Sequence, residues 1–349
     1  MTIPTWVDDP EVVVRAAAAS DWLRRGPVGA HAPARHKEWL HFCVFAPGLD
    51  LLVNFSVVDE ADAPPVEVGR LTLLVRTGDR WEGEVLTYPA DQLDARRGEV
   101  GLRLGPHAVW LEDGAYRMTV RSARLQLDLR LTPLALPSIV NNVATGDGPP
   151  IHWLVLPRNL ASGRLRWDGV EHTLRQTPAY HDHNWGHFRW GADFAWEWGY
   201  ALPQDPEDPW SLVFVRLSDR AHSRTRMQGL FVWDGTREAR VLRGPQLTVT
   251  HTGLLRPSQV TKVPPVMGLL FPELSTGVPA SLHVHAEDRG DVIELEFTPS
   301  AVAQVIVPAD HHLGATIIQE LSGEVRVTGR VRGRELRFVS PSVFELLGD

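Results

Sequence analysis

Apolar and polar positions alternate along most of this chain, and helical spacing is confined to its beginning. The runs "EWLHFCVFA", "LLVNFSVVD", "VGRLTLLVRTGDRWEGEVLTYP" and "AYRMTVRSARLQLDLRLTP" are rich in leucine, aromatic and β-branched residues. Turn signals such as Pro47-Gly48 and Thr77-Gly78-Asp79 cut them, which is the pattern of half-buried strands. Residues 8–25 are the exception and predict a helix. Asp9 can cap it, Pro10 suits its first position, Glu11 complements the helix dipole, and Gly26-Pro27 would stop it.

After "NNVATGDGPP" (141–150), a loop by composition, strands resume with "IHWLVLP", "GRLRWDG" and "EHTLRQTP". Polar "PQDPEDP" (203–209) lies between "WEWGYAL" and "WSLVFVRLSD" as the tip of one hairpin, and "GEVRVTGRVRGRELRFV" reads as a closing hairpin. Pro257, Pro264, Pro265 and Pro272 mark an irregular connection that could lie across a barrel mouth. Strands at short spacing without intervening helices predict an all-β fold. Two successive strand sets, each near the size of one barrel, predict two consecutive antiparallel β-barrels after a short N-terminal helix, with domains at 1–190 and 191–349. No fixed-period repeat points to a propeller or solenoid.

Composition removes several function classes. Cys43 is the only cysteine, so no intramolecular disulfide forms, and its strand context makes it a small core residue. A formal net charge of -8 without a basic run argues against a nucleic-acid partner. No apolar run approaches the length of about 18 residues that a spanning helix needs. The acidic N-terminus lacks a secretion signal, so a cytoplasmic location is expected. Glycine-rich phosphate loops and a G-x-S-x-G elbow are absent.

Candidate chemistry concentrates in "AYHDHNWGHFRWGADFAWEWGYA" (179–201), which holds three histidines, four tryptophans, three carboxylates and two tyrosines. In extended backbone, Tyr180, Asp182 and Asn184 share one face, and His181, His183 and Trp185 the other. Phe194, Trp196, Trp198 and Tyr200 then form an aromatic stripe with Glu197 opposite. His181 and His183, completed by His187 or by His283 and His285, could ligate a metal. The spacing matches no specific zinc motif, and "HVH" fits a half-buried strand pair, so no metal is expected. Aromatics beside titratable groups describe a pocket for an apolar small molecule better than an inert core.

"YHDHNWG" (180–186), supported by "WEWGYA", "KEWLHF", "GRLRWDGVEHTL" and a C-terminal segment carrying Glu345, resembles the carotenoid 1,2-hydratase (hydroxyneurosporene synthase) and AttH-like superfamily of tandem lipocalin-type barrels. Pro178-Ala179 replaces the glycine usual before the tyrosine, and "FVSPSVFEL" replaces a glycine-aromatic ending. The resemblance implies that Tyr180 and Asp182 form the family's catalytic Tyr-x-Asp, with His152 and Trp153 as its upstream His and Trp. These two are adjacent here, where the hydratases separate them by one residue, so strand alternation lets only one of them reach the pocket.

It further implies a cofactor-independent enzyme that protonates a C=C bond of an apolar isoprenoid, a carotenoid or terpenoid. Capture of the cation by water would make a hydratase (a hydro-lyase), and internal capture a cyclase. A non-catalytic isoprenoid or lipid carrier and a cofactor-free pericyclase are the alternatives. In the acid mechanism Asp182 is protonated at rest, and neutral His181 and His183 orient it with Tyr180. Asn184, Trp185, Trp196, Trp198 and Tyr200 line the ligand site, and transient membrane contact would deliver the substrate.

Overall fold

A computed structural model of the chain describes residues 9–24, 36–60, 66–143, 150–188, 194–270, 277–308 and 315–348. The one long helix, α1 (Pro10–Ser20), begins as its sequence predicts, with the Asp9 carboxylate accepting the Glu11 backbone N–H at 2.9 Å. It ends short of the expected residue 25. Asp21 leaves the helix to turn its carboxylate into the neighbouring barrel, while its own N–H still closes the last turn on Ala17.

The first sheet contains β1 (His36–Ala46), β2 (Leu49–Glu60), β3 (Val66–Thr77), β4 (Arg80–Pro89), β5 (Leu93–Ala95), β6 (Gly101–Leu104), β7 (His107–Glu112), β8 (Ala115–Arg121), β9 (Leu125–Pro133), β10 (Ser138–Val143), β11 (Ile151–Trp167) and β12 (Val170–His187). Its spatial order is β4-β3-β2-β1-β12-β11-β9-β8-β7-β6-β5, with β10 also paired to β11. The sheet curls until its ends approach, and Leu104 lies so close over Gly69 that any Cβ there would clash.

The second sheet contains β13 (Ala195–Ala201), β14 (Trp210–Ser218), β15 (Thr225–Asp234), β16 (Arg237–Arg243), β17 (Leu247–Thr252), β18 (Val260–Val263), β19 (Ser281–Asp288), β20 (Asp291–Pro308), β21 (Ala315–Val331) and β22 (Arg334–Gly348). Their order is β16-β15-β14-β13-β22-β21-β20-β19-β17, and short β18 is the parallel exception, on β20. The expected hairpins β13–β14 and β21–β22 are both present. The chain is therefore two consecutive lipocalin-like antiparallel β-barrels with a short N-terminal helix. The expected domain junction at residue 190 and the pair His311-His312 lie outside the described residues, as does Pro272. The rest of the proline-rich connection is more regular than expected: it forms β18 and a second helix, α2 (Pro265–Leu270), with Val266, Leu269 and Leu270 exposed. No described helix is long and apolar enough to cross a membrane.

Period-two patterning translates into three apolar layers. In β9 the burial alternates residue by residue, and its inward leucines join Val53, Leu71 and Val120 inside the first barrel. Phe214, Leu295 and Phe344 fill the second barrel. The middle layer lies between the sheets and is built from both: Trp153 and Tyr180 from one, Trp196, Trp198, Tyr200 and Val305 from the other. Strands of this layer are buried on both faces, which explains their nearly continuous apolar runs.

Candidate active site

β12 runs through the centre of the first sheet, paired with β1 and β11, and its alternation sends two different chemistries in opposite directions. One face enters the first barrel. There His183 spans Asp21 (Nδ1 to Oδ1, 2.7 Å) and Glu38 (Nε2 to Oε1, 2.8 Å), and His181 Nε2 meets Asp21 Oδ2 at 2.9 Å. Tyr116 also donates to Asp21, and His36 meets Glu38 at 3.0 Å. Burial alone would raise the Asp21 carboxyl, but the two histidines outweigh it and hold Asp21 well below its usual range. Burial alone would likewise lower His183, yet its two carboxylate partners lift it to about 9. His183 is thus cationic near neutrality. The expectation that neutral His181 and His183 orient Asp182 is therefore corrected: neighbouring strand residues point oppositely, and these two tie α1 to the barrel wall.

The other face of β12 carries Tyr180, Asp182 and Asn184 toward the second sheet. Asp182, 3% exposed, accepts from Tyr180 Oη (2.9 Å) and Trp153 Nε1 (3.1 Å) on Oδ2, and from Asn184 Nδ2 (3.0 Å) on Oδ1. Burial pushes its carboxyl up to about 8 against the pull of Trp153 and Tyr180, and the Glu345 carboxylate adds to the rise. Asp182 opens on a cavity of about 50 Å³ lined by Trp39, Trp153, Trp196, Trp198, Leu217 and Met227, among others. That is room for a few waters or the branched end of an alkene. A second cavity of about 70 Å³ adjoins it, sharing Trp39, Trp196 and Glu345 as walls. The two shared indoles stack at 6.3 Å between centroids.

Of the residues singled out by sequence, Tyr180, Asp182, Trp153, Asn184, Trp196 and Trp198 converge on this chamber or its acid. The others do not line it. His152 lies on the opposite face of β11 from Trp153, the face turned toward the first barrel, stacked on its cross-strand partner Trp185 (5.4 Å, 5°) and bonded to Asn141 at 3.2 Å. Trp185 itself packs with the interior of the first barrel, and Arg24 covers its ring. Tyr200 supports Tyr180 from behind by stacking (4.2 Å, 5°). Glu197 faces away as expected, paired with Arg216 and with His251. His283 and His285 sit half-buried on β19 and share Glu294, remote from the β12 histidines.

Sequence reasoning missed Trp39, His41 and Glu320, and gave Glu345 no role. Trp39 and His41 alternate on β1 within "KEWLHF" itself, and His41 pairs in register with Asp182. Burial pushes the His41 imidazole down to about 3, so it is neutral. Glu320 and Glu345 are direct cross-strand partners on β21 and β22. Two carboxylates so placed and buried cannot both ionise. Burial and the Glu345 charge hold Glu320 well above its usual range, while Trp196 donates to Glu345. Glu320 therefore keeps a proton, and burial raises the Glu345 carboxyl as well, against the pull of Glu320 and Trp196.

His41, Glu320 and Glu345 are also the one grouping among the described residues whose ligand atoms come within 4.8 Å of one another. They fit a metal poorly. His41 Nδ1 meets Asn54 Nδ2 at 3.4 Å and Nε2 meets Cys43 Sγ at 3.2 Å, so neither ring nitrogen is left for coordination.

No family model matches the chain, and no curated protein does either. Solved structures do. A candidate AttH from Nitrosomonas europaea is 15% identical with a TM-score of 0.65, over 93% of this chain and 99% of that one. Kievitone hydratase from Nectria haematococca is 13% identical with a TM-score of 0.56, over 100% and 96% of the two chains. CghA is 12% identical with a TM-score of 0.61, over 90% and 88%. The chain shares its tandem-barrel fold with all three.

Proposed function

We propose that this protein is a cofactor-independent enzyme that protonates a C=C bond of an apolar, isoprenoid-type substrate, with Asp182 as the acid. One observation carries the reading: a buried carboxyl, lifted to about 8, opens on an indole-lined chamber. At pH 7 a group with that pKa is about nine-tenths protonated, so it can deliver its proton to carbon. Tyr180 and Trp153 hold Oδ2 in place and stabilise the carboxylate left behind.

The resulting tertiary cation would face the rings of Trp39, Trp153, Trp196 and Trp198. Each desolvated ring contact is worth about 0.5–2 kcal/mol. In hydration, water bonds to the cationic carbon and returns one proton to Asp182, so the net change is addition of one water and the acid is restored. In cyclisation, an internal double bond supplies the electrons and loss of a proton to Asp182 closes the cycle. The fold shared with kievitone hydratase and CghA is compatible with either outcome.

A pure carrier would need only the apolar walls. Against that reading, the donors on Asp182 are neutral side chains and, among the described residues, no arginine pairs with it, whereas the salt-linked clamp is built on the opposite face of β12. The test is to incubate wild type and Asp182→Asn with acyclic and polyprenyl isoprenoids and search by mass spectrometry. A water adduct or an isomer that disappears in the variant supports the acid role. Full turnover by Asp182→Asn would remove it.

A further inference from the structure

Among the described residues, Glu345 is the one carboxyl that faces both cavities. On the side of Asp182 its surroundings are mostly indole and aliphatic. On the other side the wall turns polar: the first sheet contributes Asn54, Ser56 and Thr72, and the second sheet contributes Glu320. Glu320 is 4% exposed, and its Oε2 has no hydrogen-bond partner among the described residues. A buried carboxyl oxygen left in that state costs free energy that a donor restores. The second cavity, at about 70 Å³, has room for a few waters, and its hydroxyl, amide and carboxyl groups supply the several partners that each buried water needs.

We propose that the second cavity holds the water that the reaction consumes and that Glu345 is the base that delivers it, which makes the protein a hydratase. The inference rests on the proposed acid chemistry and selects one of its two outcomes. Asp182 gives its proton to the alkene carbon, and the tertiary cation forms in the first cavity. A water from the second cavity uses a lone pair to form the C–O bond while Glu345 takes one of its protons, so the product is a tertiary alcohol. That proton then returns to the Asp182 carboxylate across the first cavity, whose wall holds both groups. The net change is addition of one water, with both carboxyls restored. Glu320 is a positioning residue: keeping its own proton, it leaves Glu345 as the acceptor of the pair. A cyclase would be hindered by a polar reservoir joined to the cation's chamber, because water there would quench the cation before an internal double bond could.

The test has a structural and a chemical arm. A crystal structure of the full-length protein should show ordered water in the second cavity, bonded to Glu320 or Glu345. Farnesol, farnesene and squalene are then incubated with the protein in deuterium oxide or in heavy-oxygen water, and recovered substrate and product are weighed by mass spectrometry. Wild type should form a hydrate labelled with heavy oxygen. Glu345→Gln should lose hydrate by about 100-fold or more yet still place deuterium in the recovered alkene, since Asp182 continues to protonate and deprotonate carbon. Glu345→Asp is the second variant should the first fail to fold. Withdrawing the carboxylate by one carbon should cost at least tenfold in hydrate, with exchange again retained. A second cavity without water, isomers but no hydrate from wild type, or unchanged hydrate yield in the Glu345 variants would overturn the proposal. Loss of exchange together with hydrate in both variants would do the same. Hydrate that persists in Asp182→Asn and is lost in Glu345→Gln would retain the water site and sink the acid role of Asp182 instead.

Discussion

Replacing Asp182 by Asn tests the resting protonation state without any knowledge of the substrate. The carboxyl is raised from 3.8 to about 8 by burial. A shift of about four units at about 1.4 kcal/mol each sets a ceiling on the order of 6 kcal/mol. Relaxation and water entry reduce this, so about 2–4 kcal/mol is expected. The sign follows from linkage: a group whose folded pKa lies above its unfolded value contributes stability that is complete below about pH 4 and is lost as pH rises through about 8. Asn keeps the shape and can still accept from Tyr180 and Trp153, but it does not titrate. The stability of wild type minus variant, from urea unfolding at matched pH between 5 and 9, should therefore fall steadily by about 2–4 kcal/mol. Every other titrating group is common to both proteins and cancels. A flat difference, or one that grows with pH, would mean that the native state holds an ionised Asp182, and the acid mechanism would fail with it.

The inner face of β12 should behave differently. Asp21→Asn removes the shared partner of His181 and His183 and should destabilise the fold by about 3–5 kcal/mol, as expected for a broken buried pair. Turnover of an isoprenoid substrate should stay within twofold of wild type, because the chamber lies on the other face. His183 contributes stability that is complete below about pH 6.5 and lost as pH rises through about 9; this dependence should shrink in Asp21→Asn, where only Glu38 remains to lift His183, as thermal melts across that range would reveal. Gly199 on β13 lies under the Phe344 ring, where an added Cβ would come within 2.3 Å of ring carbon. Gly199→Ala should cost about 1–3 kcal/mol by overpacking, and Phe344→Leu should recover part of that loss in denaturant unfolding.

Which of these residues could be read from sequence is decided by range. The opposition of Tyr180-Asp182-Asn184 to His181-His183-Trp185 is a local property of extended backbone and was legible, as was the stripe ending at Tyr200. The direction of each face was not. β12 is buried on both sides, so burial patterning cannot tell barrel interior from inter-barrel layer. What assigns the histidine face to the interior is Asp21, 160 residues away from His181, which arrives on the end of a helix. The chamber's far wall comes from β13, β14, β15 and, through Glu345, β22, and the Glu345 partner Glu320 on β21 lines the adjoining cavity; both are single acids within ordinary strand patterns far along the chain from Asp182. The nearest missed signal was in β1: Lys37, Trp39, His41 and Cys43 alternate onto one face, an unusual polar and aromatic set for a strand otherwise filled with Leu40, Phe42 and Val44. That set meets Asp182 in register. The pleat of β12 thereby separates two demands that conflict in one pocket: a cationic His183 bonded directly to an acid holds that acid ionised, as it does Asp21, and on the opposite face of the strand it makes no such bond to Asp182, which burial keeps protonated.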